Sequence, residues 1–137
     1  MATFSTIDIG RTGMGFSQYW MDNLGHNLAN LNTVRPGDEE PFRARMVVAQ
    51  ALGDEIAPSG SGVAVRDVLE DGTDPALTYE PDNPLADEEG YVTQPVVDMS
   101  GQMHDMIVAN RSYQASARTI QNAHEAYQAA LRIGQQL

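Results

Sequence analysis

His26, His104 and His124 are, in the absence of cysteine, this sequence's candidates for neutral-pH acid-base or metal chemistry. His104 and His124 stand twenty residues apart, which at ~100° per residue sets them roughly 200° apart around one helix. One chain cannot close both on a metal, and neither lies in an i, i+4 two-histidine motif. As structural residues, all three are polar positions at a helix interface. The runs Asp38-Glu39-Glu40 and Asp87-Glu88-Glu89 offer oxygens to calcium but lack the alternating spacing and central glycine of a calcium loop, so they read as solvated loop. There is no phosphate-cradling glycine loop, no nucleophile elbow, and no serine set beside a histidine and an acid. These residues argue against catalysis and imply no cofactor and no metal.

The elements that hold these residues are more informative. Apolar or small residues at Ile7, Gly10, Met14, Ser17, Met21, Leu24, Leu28 and Leu31 alternate by three and four. So do Met99, Met103, Met106, Asn110, Tyr113, Ala117, Ile120, His124, Tyr127, Leu131 and Gly134. Such spacing gives a helix one narrow apolar seam, buried only against another helix. Leu24, Leu28 and Leu31 are the expected N-terminal side of that seam; Tyr113, Ile120, Tyr127 and Leu131 are its C-terminal counterpart. Asn110 and His124 on the seam have two readings: buried polar groups that select register or partner, or groups at its solvent edge.

The spacing predicts a first helix over about residues 4–32, stopped by Asn30, Asn32 and Pro36-Gly37. Gly10, Gly13, Gly15 and Gly25 interrupt it, at a summed cost on the order of 4 kcal/mol relative to alanine. Alone it should fray, and order when a partner covers its seam. A second helix is expected from about Val96 to Gln136, a rod of about 60 Å. Between them, Phe42–Gln50 and the β-branched Val63–Val68 read as strands around a Pro58–Gly62 turn, and Leu77–Tyr79 as a short third. Pro81, Pro84 and Pro95 enforce an extended loop or ribbon. The expected fold is mainly α with a small β insert, its N- and C-terminal helices pairing as a coiled-coil-like hairpin. Residues 1–33 and 96–137 make the helical assembly domain, and 34–95 an acidic β/loop region.

Charge divides along the same boundaries. Residues 1–33 carry −1 and 99–137 carry +1, so residues 34–98, with 15 acids against 4 arginines, hold the whole −11. Near-neutral ends can pack many copies closely, whereas an acidic middle repels its copies and stays in solvent. No basic patch exists to displace counterions from nucleic acid. Neither a basic n-region with an apolar stretch nor a membrane-spanning run is present. Export, if any, would use a dedicated route without a cleaved signal.

Asn27-Leu28-Ala29-Asn30 with Asn32-Thr33 resembles the N-terminal motif of the flagellar axial proteins, the rod and hook group. Pro81-Asp82-Asn83-Pro84-Leu85-Ala86-Asp87, Gly90-Tyr91-Val92 and Pro95 resemble the central signature of the proximal rod proteins of that family. Met103 and Ala109-Asn110-Arg111-Ser112-Tyr113-Gln114-Ala115 resemble its C-terminal segment, with Gln102 where glutamate usually precedes the methionine and Ser116 where asparagine is usual. The resemblance spans essentially the whole chain. It implies a structural subunit of the bacterial flagellar basal body, exported by the flagellar type III apparatus. Such a subunit polymerises into the proximal rod, transmits torque and surrounds the export channel, its paired helices forming an inner domain and the β region an outer one. Implied partners are further copies, other rod proteins, the rod-to-membrane-ring junction protein and the export apparatus; nucleic acid and a direct membrane span are not among them. Asn27, Asn30, Thr33 and Arg111 are the polar contacts this reading places at helix ends and between subunits. Other readings are a different proximal rod protein of the same family, a secreted helical-hairpin binding module, and an enzyme dependent on His104 or His124.

Overall fold

A computed structural model describes residues 2–36, 39–53 and 60–134. In chain order the elements are α1 (Ala2–Ala29), β1 (Arg45–Ala51), β2 (Val63–Glu70), β3 (Ala76–Tyr79), β4 (Tyr91–Gln94) and α2 (Met99–Gly134). The two helices pack on each other along their length and the strands form two antiparallel hairpins, β1-β2 and β3-β4. This is the mainly α hairpin with a small β insert that the sequence predicts. Phe42 precedes the first strand rather than opening it, and the ribbon expected after Pro81 ends in a true strand, β4. Pro58 and Ser59 of the expected turn, Gly37 of the expected helix stop, Asp38 and the expected helix end at Gln136 lie outside the described residues.

Helix α1 is continuous through its glycines, and the reason lies in α2. A Cβ built on Gly10 would come within 2.7 Å of Ile120 Cγ1, and one on Gly13 within 2.8 Å of Ser116 Oγ. These two glycines let the helix backbones approach, so their propensity cost is offset by packing. Gly15 and Gly25 face open space and have no such compensation within the chain. Gly15→Ala is accordingly expected to raise stability by about 0.5–1 kcal/mol, read as a shift of the urea midpoint without a change in slope. A loss of stability would show that Gly15 is already in a close contact.

Helix α1 closes at Asn30, whose Nδ2 donates to His26 O (2.9 Å) while Thr33 Oγ1 donates to Asn30 Oδ1 (3.2 Å). Helix α2 opens at Asp98, whose Oδ1 accepts the Ser100 N–H (3.0 Å) as an N-cap carboxylate does. Two-stranded hairpins are marginal alone, and here each is tied to something else. Thr12 Oγ1 accepts the Val63 N–H (3.1 Å), fixing β2 to α1, and Arg35 forms a bridge with Thr93 of β4. The β1-β2 ladder pairs Val47 with Val68 and carries a bulge between Val48 and Ala49. Past β2, the Asp71 carboxylate accepts both the hydroxyl and the N–H of Thr73, which hold its pKa below the usual carboxylate value. The fully buried apolar set is small, chiefly Leu24, Ala44, Val92, Ala109 and Ala123, whereas many large apolar side chains are exposed. The chain keeps little of its apolar surface for itself.

Candidate assembly interface

The antiparallel seam between α1 and α2 is built from small residues. Gly10 faces Ile120, Gly13 faces Ser116, and Ser17 Oγ donates to Gly13 O (2.9 Å) and is hydrogen-bonded to Ser112 Oγ (3.2 Å). Ser17 and Ala109 are fully buried along this line, Ala123 and Leu24 nearly so. The seam on α2 therefore runs through Ala109, Ser112, Ser116, Ile120 and Ala123; it keeps the expected Ile120 and is otherwise displaced by one position from the expected heptad. Met99, Met103, Asn110, His124, Tyr127 and Leu131 are exposed. Heptad reasoning ranked large residues over small ones, but glycines on one helix select alanine and serine on the other. Asn110 and His124 thus lie outside this seam, their side chains engaged with Gln114 (2.7 Å) and Gln128 (2.9 Å) one turn on.

The most connected residue is Asn27, at 0% exposure. Its Oδ1 accepts the Arg45 N–H (2.8 Å), and its Nδ2 donates to Arg45 O (2.8 Å) and to Gln102 Oε1 (2.8 Å). One amide joins α1, the start of β1 and α2. Asn30 and Thr33 are engaged with one another at the end of α1. Leu28, Leu31, Tyr113 and Ile120 are half-buried, and Arg111 is exposed. Sequence reasoning placed Asn27 at a helix end; its partners, 18 and 75 residues away, carry no local signal.

The signature segment forms a tight, internally bonded loop. Asp87 Oδ1 accepts the N–H groups of Glu89 (3.0 Å) and Tyr91 (2.8 Å), and Asn83 Oδ1 that of Leu85 (3.0 Å). Glu80 accepts Asn83 Nδ2 (2.8 Å) and Gln94 Nε2 (3.4 Å). Gly90 has φ of 83°, and a Cβ there would meet the Tyr79 ring at 2.9 Å, so only glycine suits the position. Pro81 and Pro84 sit exposed on the turns, Ala86 is half-buried, and Val92 is fully buried beneath.

Two open surfaces remain on the helices. Met99, Met103 and Ile107 make an exposed apolar stripe on the first half of α2, with exposed Val96 just ahead of the helix. Near the other end of the hairpin, a cleft of about 550 Å³ opens between α1, the start of β2 and α2, lined by Ile9, Gly10, Gly13, Val63, Ala115 and Thr119 among others. No group of three or more His, Cys, Asp or Glu residues able to hold a metal occurs among the described residues, and no described helix is long and apolar enough to cross a membrane. Surface of this kind suits helix packing between subunits.

Comparison with known proteins places this arrangement. Residues 88–133 match the family model described as flagellar basal body rod FlgEFG protein C-terminal. Over 135 residues the chain is 37% identical to flagellar basal-body rod protein FlgC of Escherichia coli O6:H1, covering 98% of this chain and 100% of the relative. It is 31% identical over 149 residues to that of Bacillus subtilis, covering 98% and 99%. With that of Aquifex aeolicus it shares 35% over 129 residues, covering 93% and 94%.

Proposed function

The chain belongs to the FlgC family of flagellar basal-body rod proteins, structural subunits of the rod, and we propose that it polymerises into the proximal rod through its paired terminal helices. The observation that carries this reading is the division of the surface. Near-neutral helices bear an exposed stripe of Met99, Met103 and Ile107, and all the net negative charge lies in the part between them. Copies related by a screw operation bury helix stripes in a head-to-tail contact, which extends into a tube instead of closing. Residues 1–33 and 96–137 form the inner domain around the export channel, and 34–95 the outer region, turned away from like-charged copies.

In this reading the protein transmits torque and is not an enzyme. It is exported by the flagellar type III apparatus without a cleaved signal, and its neighbours are further copies, other rod proteins and the junction protein that joins rod to membrane ring. Arg111, exposed on α2, and Tyr127 and Leu131 near its end serve contacts between subunits. The test is extraction of basal bodies with detergent from wild-type and deletion strains. The chain is expected in the wild-type basal bodies, and its deletion is expected to halt assembly before the distal rod. Complete rods in the deletion strain would overturn the reading.

A further inference from the structure

The β3-β4 hairpin with its signature loop is densely hydrogen-bonded for a two-stranded element. It ends in a network of side-chain and main-chain bonds around Asp87, Asn83 and Glu80, yet it leaves Leu77 67%, Tyr79 62% and Tyr91 37% exposed. Tyr79 pairs with Tyr91 across the ladder, their rings edge to face at 5.2 Å, and Leu77 lies on the same face two residues on. Gly90 admits the Tyr79 ring against the loop backbone. An apolar cluster held in one geometry before any contact is the kind of surface that binds tightly, because little conformational freedom is lost on association.

The hairpin that carries the cluster is acidic, and the arginine beside it, Arg35 bridged to Thr93, is itself paired with Glu39. Residues 74–98 contain seven carboxylates and no arginine, lysine or histidine. We propose that Leu77, Tyr79 and Tyr91 form a docking knob for a different protein, one that offers an apolar pocket rimmed by arginine or lysine. A second copy does not fit. Its Arg111, Arg118 and Arg132 are spread over about 32 Å of α2, too far apart to ring one patch. Arg35, Arg43 and Arg45 line one concavity but are paired with Glu39, Glu40 and Glu70, and Arg11 and Arg66 are each the single arginine of α1 and β2. The helices thus supply contacts between copies, and this face recruits another component. The proposal rests on the rod reading only for where the partner is sought.

The test places a photoreactive amino acid at Leu77 in the full-length chain, expressed in flagellated cells, with the same residue at Ile107 as a control for helix contacts. Irradiated basal bodies are expected to yield, from position 77, an adduct with a different protein whose crosslinked peptide is rich in arginine or lysine. Its yield should fall at least about tenfold with Tyr79→Ser. Combined Asp82→Asn, Glu88→Gln and Glu89→Gln should weaken it comparably and flatten its decline with salt between about 0.05 and 0.5 M. These acids lie on the exposed rim, so this second variant keeps the tyrosine pair and the fold. An adduct with another copy of the chain overturns the proposal, as does silence at position 77 in basal bodies where position 107 reacts. Absence of the chain from basal bodies would instead strike the rod reading.

Discussion

Asn27→Ala is expected to destabilise the chain by about 2–4 kcal/mol. The amide makes three hydrogen bonds of 2.8 Å at a site with no solvent exposure, so removal leaves the Arg45 N–H, the Arg45 carbonyl and Gln102 Oε1 without this partner. Each buried group so stranded costs ~1–3 kcal/mol, more than the net worth of the bond it lost. Asn27→Asp should be similarly damaging, because a carboxylate can accept from the Arg45 N–H but turns lone pairs toward two acceptors. Gln102→Ala removes one bond of the three and should cost about a third as much. Urea unfolding of the three variants, followed by far-ultraviolet circular dichroism, checks the order. An Asn27→Ala midpoint indistinguishable from wild type would show that the junction of α1, β1 and α2 is held by something else. Because β1 begins at this junction, the loss should also appear as faster amide exchange at Arg45 and along the β1-β2 ladder.

The sequence made the two helices legible because their apolar periodicity is long, and it made their pairing legible because neither helix can bury its stripe alone. It misplaced the stripe on α2. A heptad pattern can be threaded through Met103, Asn110 and His124 or, one position away, through Ala109, Ser116 and Ala123. The large residues won that reading although the small ones fill the contact. The information needed was on the other helix, in the seven-residue spacing of Gly10 and Ser17 with Gly13 between them. Strand β4 was missed for a related reason. Tyr91, Val92 and Thr93 favour a strand, but the run is only four residues long between Gly90 and Pro95, and what makes it a strand is its pairing with Ala76–Tyr79. Asn27 was visible as a polar residue at a helix end, but its partners lie far along the chain. Asn30, whose role is set by neighbours in sequence, could be read; residues whose role is set by neighbours in space could not.

The close approach of the helices yields the other large effect, and a way to prove its cause. Gly10→Val is expected to cost about 2–3 kcal/mol even though valine is the better helix former by several tenths. Its Cβ alone would stand 2.7 Å from Ile120 Cγ1 and 3.4 Å from Ser116 O, and main chain cannot yield as a side-chain tip can. Ile120→Ala, which empties the facing site, should cost on the order of 2 kcal/mol by itself. If the two residues share one volume, the double variant should be more stable than the sum of its parts by at least about 1 kcal/mol, because the valine methyls occupy what the isoleucine vacated. Additive losses would mean that Gly10 is needed for a reason other than contact with Ile120. The cycle also bears on assembly. A subunit whose α1 is glycine-weakened is ordered by whichever helix covers Gly10 and Gly13, and within the chain that helix is α2. Gly10→Val should therefore loosen α1 first, giving faster amide exchange over Ile7–Ser17 than over the β1-β2 ladder. Filling the site with Gly10→Val and Ile120→Ala together should return that segment toward wild-type protection and restore incorporation into the rod. Restored protection without incorporation would assign these glycines a second contact, made between subunits.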